Sequence, residues 1–181
     1  MLKFKLVTAS LLCSTLFTKD IFAGDKQMPH HTEDVKQEDK ANINKKTLDD
    51  ESKMQMAKVM EAYDSLHEAF FKSDKQKIEA EAKRLLEKIY DIKHPELVTL
   101  FTYTKAQLPE IKANAETEAN NQKFHSISLA LIHVLNTFDT EQKHQVFTCP
   151  MVKMKWLQHP EKLTKVHNPY ASNMPHCGVG L

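Results

Sequence analysis

The chain has 181 residues, of which 41% are hydrophobic and 27% charged, the proportions of one ordinary globular domain. Lys and Arg total 25 against 24 Asp and Glu, and Arg84 is the only arginine, so the basic excess and the guanidinium groups on which nucleic-acid binding leans are missing. Three glycines, Gly24, Gly178 and Gly180, leave the stretch 25–177 with none. That excludes phosphate-cradling glycine loops, dinucleotide fingerprints and nucleophile elbows.

Lys3 and Lys5 precede a short apolar run from Leu6 to Phe17, and Ile21-Phe22-Ala23 ends in the small residue that signal peptidase requires. The pattern predicts a signal peptide over 1–23 cleaved after Ala23, and hence a periplasmic or secreted chain. The run is too short for the about 20 residues that cross a bilayer, so no stable membrane insertion is expected. From 24 to 46 apolar residues are almost absent. This segment reads as a disordered polar arm, because it buries too little surface to offset the entropy of ordering.

The folded domain is expected over 47–181. Thr47 with Asp50 resembles a capping box, and Met56, Val59, Tyr63, Leu66 and Phe70 recur at steps of three and four, which predicts a helix over 48–72. Ser73 with Gln76 offers a second cap, and Ile78, Ala82, Leu85 and Ile89 mark a helix over 74–91, stopped before Pro95. Leu97, Leu100, Phe101, Ala106, Leu108 and Ile111 then carry a third helix that Pro109 kinks or splits. After a polar stretch over 114–123, Phe124, Ile127, Leu131, Val134 and Phe138 form the seam of a fourth. Four amphipathic helices with short connections predict an all-α fold, an antiparallel up-down four-helix bundle, followed by an irregular Cys/Met/His-rich tail over 140–181.

That tail concentrates the soft donors. Cys149-Pro150-Met151 stands at one end and Met174-Pro175-His176-Cys177 at the other, with Met154 between them. Thiolates and thioethers select Cu(I) and similar ions, whereas the Cys-x2-Cys spacing of structural zinc sites is absent. A soft ion such as copper, as Cu(I), is therefore one reading of the tail, with Cys149, Met151, Met174 and Cys177 as ligands and His176 and Met154 as further donors. An equally open alternative is a Cys149–Cys177 disulfide, since an exported chain meets an oxidising compartment. It would stabilise the tail by roughly 3–4 kcal/mol and make it a stapled interaction module of the envelope. No enzyme is expected, because neither a Cys-x-x-Cys nor a His-Glu-x-x-His motif occurs.

The set Cys149-Pro150-Met151, Trp156-Leu157, Asn168-Pro169-Tyr170, Met174 and Cys177-Gly178 resembles the C-terminal signature of a periplasmic domain family of unknown function. That family occurs as stand-alone secreted proteins and fused to the adaptor (membrane fusion) subunits of Cus-type copper and silver efflux systems. The resemblance implies an all-helical periplasmic domain that handles a heavy metal. Its partners would be the metal ion and an efflux adaptor or another envelope protein. Cys149, Met151, Met174 and Cys177 match the sulfur positions, while Trp156, Asn168, Pro169 and Tyr170 match positions of loop structure. The chain departs from the family in having Ala171-Ser172-Asn173 where members often carry a glycine before the second methionine.

Overall fold

The computed structural model describes residues 45–181. The predicted signal peptide, its cleavage point at Ala23 and the polar arm as far as residue 44 lie outside the described residues. The fold opens with a two-residue strand, β1 (Lys46–Thr47), and two long helices, α1 (Asp50–Phe71) and α2 (Lys75–Tyr90). Thr47 is drawn into β1, so the cap of α1 falls to Asp49, whose side chain accepts the Ser52 N–H at 2.7 Å. Asp74 rather than Ser73 caps α2, accepting the Lys77 N–H at 3.1 Å.

Ser73 instead ends α1. Its N–H and that of Asp74 fold back onto the carbonyls of Phe70 and Ala69 at 2.9 and 3.1 Å, and its φ of 55° lies in the left-handed region that glycine normally fills. In a chain with no glycine from 25 to 177, serine carries that strain. Ser73→Gly is therefore expected to stabilise the fold by about 1 kcal/mol. A urea midpoint that fails to rise in this variant would contradict the assignment.

The predicted third helix is broken into α3 (Pro95–Leu100), α4 (Thr102–Gln107) and a 3-10 turn over Leu108–Glu110. Thr99 and Thr102 donate their hydroxyls to the carbonyls of Pro95 and Val98 four residues back, a pattern that bends helices. The break at Phe101 rotates the stripe, so that Thr104 is buried and Ala106 is exposed. Pro109 then ends the helix, since it has no N–H to continue the ladder.

The last helix, α5 (Thr117–Thr137), starts well before Phe124. The polar stretch is helical because its asparagines are useful inside. Asn120 donates to the Lys112 carbonyl at 2.8 Å and accepts the Lys112 N–H at 3.3 Å, tying the preceding loop to the helix.

The expected all-α bundle with an irregular tail is overturned by two sheets. β1 pairs in parallel with β2 (Phe138–Asp139), Lys46 opposite Phe138, so the seam residue Phe138 leaves the helix while staying buried. A three-stranded antiparallel sheet follows, with β3 (Gln145–Thr148) between β4 (Lys155–Gln158) and β5 (Val179–Gly180). Phe147 faces Trp156 across β3 and β4, and Gly180 across β3 and β5. β4 packs against α5, and on its other side Gln158 bonds the 165–167 backbone at 2.7 and 3.0 Å. With both sides covered, Trp156, Leu157 and Gln158 are all buried and the alternation that betrays a strand is erased.

Tail and helices consequently share one core, which runs from Met56 and Leu66 through Phe124 and Leu131 to Cys149, Trp156 and Leu157. The join is polar as well as apolar. The buried Tyr63 hydroxyl on α1 lies 2.8 Å from the Ser128 hydroxyl on α5 and accepts the Leu157 N–H at 3.0 Å.

Candidate soft-metal site

Cys149 closes β3 and opens a tight loop back to β4. Its N–H donates to the Met154 carbonyl at 2.9 Å, and Lys153, held at a φ of 57°, donates its N–H to the Cys149 carbonyl at 2.8 Å. The loop turns backbone N–H groups of Met151 and Val152 toward the Cys149 sulfur. Burial of Cys149, which is 0% exposed, pushes its thiol pKa up. Hydrogen bonds from Val152 N–H, the Asn168 side chain and Met151 N–H outweigh that and hold it below the usual thiol value.

Asn168 ties the Cys149 loop to the backbone of the Cys177 turn. Its buried side-chain amide donates to the Cys177 carbonyl at 2.6 Å and lowers the Cys149 thiol pKa, while its oxygen accepts the Tyr170 N–H at 2.9 Å in an Asx turn. Its own N–H donates to the Pro175 carbonyl at 2.8 Å. One asparagine thus fastens both cysteine segments. Cys177 is half-buried, and its N–H donates to the Met174 carbonyl at 3.1 Å, which closes a turn over Met174–Cys177. Gly178 follows because nothing larger fits: a Cβ there would stand 2.7 Å from Trp156 Cη2 and 2.8 Å from Val166 Cγ1.

Of the six sulfur and imidazole donors singled out in the sequence, Cys149 and Cys177 lie in two segments that Asn168 joins, through the Cys177 carbonyl, with the half-buried Met174 in the same turn as Cys177. Both cysteines are free thiols. Met151 is 64% exposed at the tip of its loop, and Met154 is buried. His176 is exposed, with Nδ1–H donated to the Val166 carbonyl at 2.7 Å. Among the described residues no three His, Cys, Asp or Glu side chains gather as a metal ion would require. A bound ion at this place would therefore rely on two thiolates and on thioethers, a donor set that fits Cu(I) and leaves zinc short of its four ligands.

A network of histidines supports the loop from α1. His67 is buried, and its Nε2–H donates to the His167 carbonyl at 2.8 Å, next to Asn168. The Asp64 carboxylate accepts from His144 Nε2 and Lys162 Nζ, both at 2.8 Å. Burial raises its pKa, yet these two partners hold it below the usual carboxylate value. Burial of His67 lowers its pKa to about 4 and outweighs the favourable bond to His167. The unfolded chain takes up this proton near pH 6.5, the folded chain only near pH 4. Stability present above about pH 6.5 is thus lost as pH falls toward 4, by about 3 kcal/mol from this group. Urea unfolding of the wild type and of His67→Gln at pH 7 and pH 4.5 checks this: the variant should lose most of that pH dependence, and an unchanged slope would contradict it.

Asn168, Tyr63 and His67 are functional neighbours that the sequence conceals. Asn168 stands in a loop dipeptide before proline, and only its burial shows that it is a linchpin. Tyr63 reads as an ordinary core position and His67 as a half-exposed helix residue, yet both are buried, 94 and 100 residues from their partners.

Residues 59–143 match the family model described as "Protein of unknown function (DUF3347)". The helical part of the chain is similar to an uncharacterised domain family. The matched stretch stops before β3 and so leaves out Cys149 and Cys177. No curated protein and no solved structure matches the chain. No helix among the described residues is long and apolar enough to cross a membrane.

Proposed function

We propose that this is an exported protein that binds a soft metal ion, Cu(I) or Ag(I), and serves heavy-metal handling or efflux in the cell envelope. The observation that supports the reading is that Asn168 fastens the backbone of Cys177 and lowers the Cys149 thiol pKa, so that one buried side chain joins both cysteine segments. A Cu(I) ion held by two thiolates leaves one net negative charge in a largely buried place, and buried charge is tolerated only when hydrogen-bonded. Met151 N–H, Val152 N–H and the Asn168 amide already lower the Cys149 thiol pKa. They favour the thiolate that a metal must have. Met174 would complete the set from the same turn as Cys177, and Met151, exposed at the loop tip, from the other side. His176 and Met154 are secondary candidates. The resemblance of the tail to domains fused to Cus-type efflux adaptors agrees with this chemistry and suggests such an adaptor as the partner.

The same joining of the two segments also suits the alternative of a Cys149–Cys177 disulfide that staples the tail as an interaction surface. Titration with Cu(I) under anaerobic conditions, before and after reduction, combined with thiol counting, separates the two. The metal reading expects two titratable thiols and one tightly held Cu(I) in the reduced chain, with Zn(II) bound far more weakly. A chain exported with no free thiol and unable to bind Cu(I) after reduction would sink the metal reading and leave the staple.

A further inference from the structure

The metal reading leaves a cavity at the end of α1 unused. It has a volume of about 260 Å³ and opens where the end of α1 and the first turns of α2 and α5 meet the segment that follows Asn168. The apolar part of its wall is Phe70 and Ile78 from the helices with Pro169 and Tyr170 from the loop. The Tyr170 hydroxyl is already committed to the Lys155 carbonyl at 2.8 Å, so the ring serves the cavity as a face.

The polar part of the wall is made of hydroxyls, two amides and one ammonium, with no carboxylate. Asn120 spends both ends of its amide on Lys112, but the adjacent Asn121, only 7% exposed, lines the cavity with no hydrogen-bond partner for its amide among the described residues. Facing the cavity, this amide is free to bond a ligand group. Lys75 stands at the rim and forms no ion pair among the described residues, and no Asp or Glu lines the cavity. The 21-residue helix α5 adds its positive end at Thr117, where Glu116 supplies no side-chain cap. A single cation, a helix N-terminus and an unsatisfied amide over aromatic walls ask for an anion on an apolar body. The volume sits just below the roughly 300–1,000 Å³ of sites for larger ligands, which sets the size at about one ring.

We propose that this cavity binds a small aromatic carboxylate, its ring packed against Phe70 and Tyr170 and its carboxylate directed to Lys75 and the Asn121 amide. Offset or edge-on packing against the two rings favours an aromatic body over an aliphatic one. The site stands independently of the metal reading, since it uses none of the sulfur donors.

The probe is benzoate, titrated into the full chain and followed by amide NMR. Saturable shifts are expected at Lys75, Thr117, Asn121 and Tyr170. Benzyl alcohol, which keeps the ring and lacks the charge, should bind about tenfold more weakly, and so should benzoate to Lys75→Gln. Asn121→Leu should weaken benzoate by a similar factor while its spectrum away from the cavity stays unchanged. Should Asn121→Leu fail to fold, the exposed Lys75→Gln decides the matter alone. Absence of saturable shifts, or equal binding of benzoate and benzyl alcohol together with no effect of Lys75→Gln, would overturn the proposal.

Discussion

Trp156→Ala is expected to cost about 3–5 kcal/mol and to unfold sheet and helices in a single transition. Trp156 is fully buried on β4, its ring stacked on Phe147 at 5.7 Å, met edge-on by Tyr170 at 5.9 Å, and pressed by the backbone at Gly178. It therefore spaces β3, β4, β5 and the loop that carries Asn168. Nothing near it can move in to fill the volume, because the adjoining strand residue Leu157 is anchored to Tyr63. The indole N–H has no hydrogen-bond partner, so the loss is one of packing. Trp156→Phe, which keeps a ring and removes that unpaired donor, should cost clearly less. Far-ultraviolet dichroism and tryptophan-independent probes of the tail should report the same midpoint in Trp156→Ala. Loss of tail order with an unshifted helical melt would show instead that the tail is an appendage.

Cys149→Ser and Cys177→Ser should each weaken Cu(I) binding by more than the 10–100-fold that outer partners of a metal site typically contribute. A serine hydroxyl is a hard, protonated donor at neutral pH and offers a soft ion nothing comparable to a thiolate. Asn168→Ala, which keeps both thiols, should fall within about 10–100-fold, since it removes the amide that orients Cys177 and stabilises the Cys149 thiolate. The two serine variants differ in stability: Cys149→Ser buries a hydroxyl in a site shaped for sulfur, whereas Cys177 is only half-buried and should tolerate the change. Competition against a Cu(I) chelator measures the order. Serine variants that retain the affinity of the wild type would end the two-thiolate reading.

The apolar stripes were legible because helices advertise them: Met56, Val59, Tyr63, Leu66 and Phe70 are all buried, as their spacing requires. Polar residues with inside work were not. Asn120 and Asn121 read as linker, yet they lie on the buried face of α5, and Thr104 displaced Ala106 once the third helix broke at Phe101. The sheet was hidden for a different reason. Strands of two to four residues are too short for alternation to rise above chance, and β4 is covered on both sides. Its identity comes from partners distant in sequence, Tyr63, His125 and Gly178, each supplied by another element. The site was half legible. Rare residue types marked the two ends of the tail, but the residue that joins them, Asn168, looked like loop chemistry. Met151, a leading ligand in the sequence, and His176, a further donor, both emerge at the surface.

X-ray absorption at the copper edge of the reduced, Cu(I)-loaded chain tests the central claim most directly. A first shell made only of sulfur, shared by Cys149 and Cys177 with thioether from Met174, is the predicted result. It should persist when His176 is replaced by alanine, since that ring is engaged with the Val166 carbonyl. A first shell containing nitrogen or oxygen, or one sulfur in place of two or three, would contradict the account.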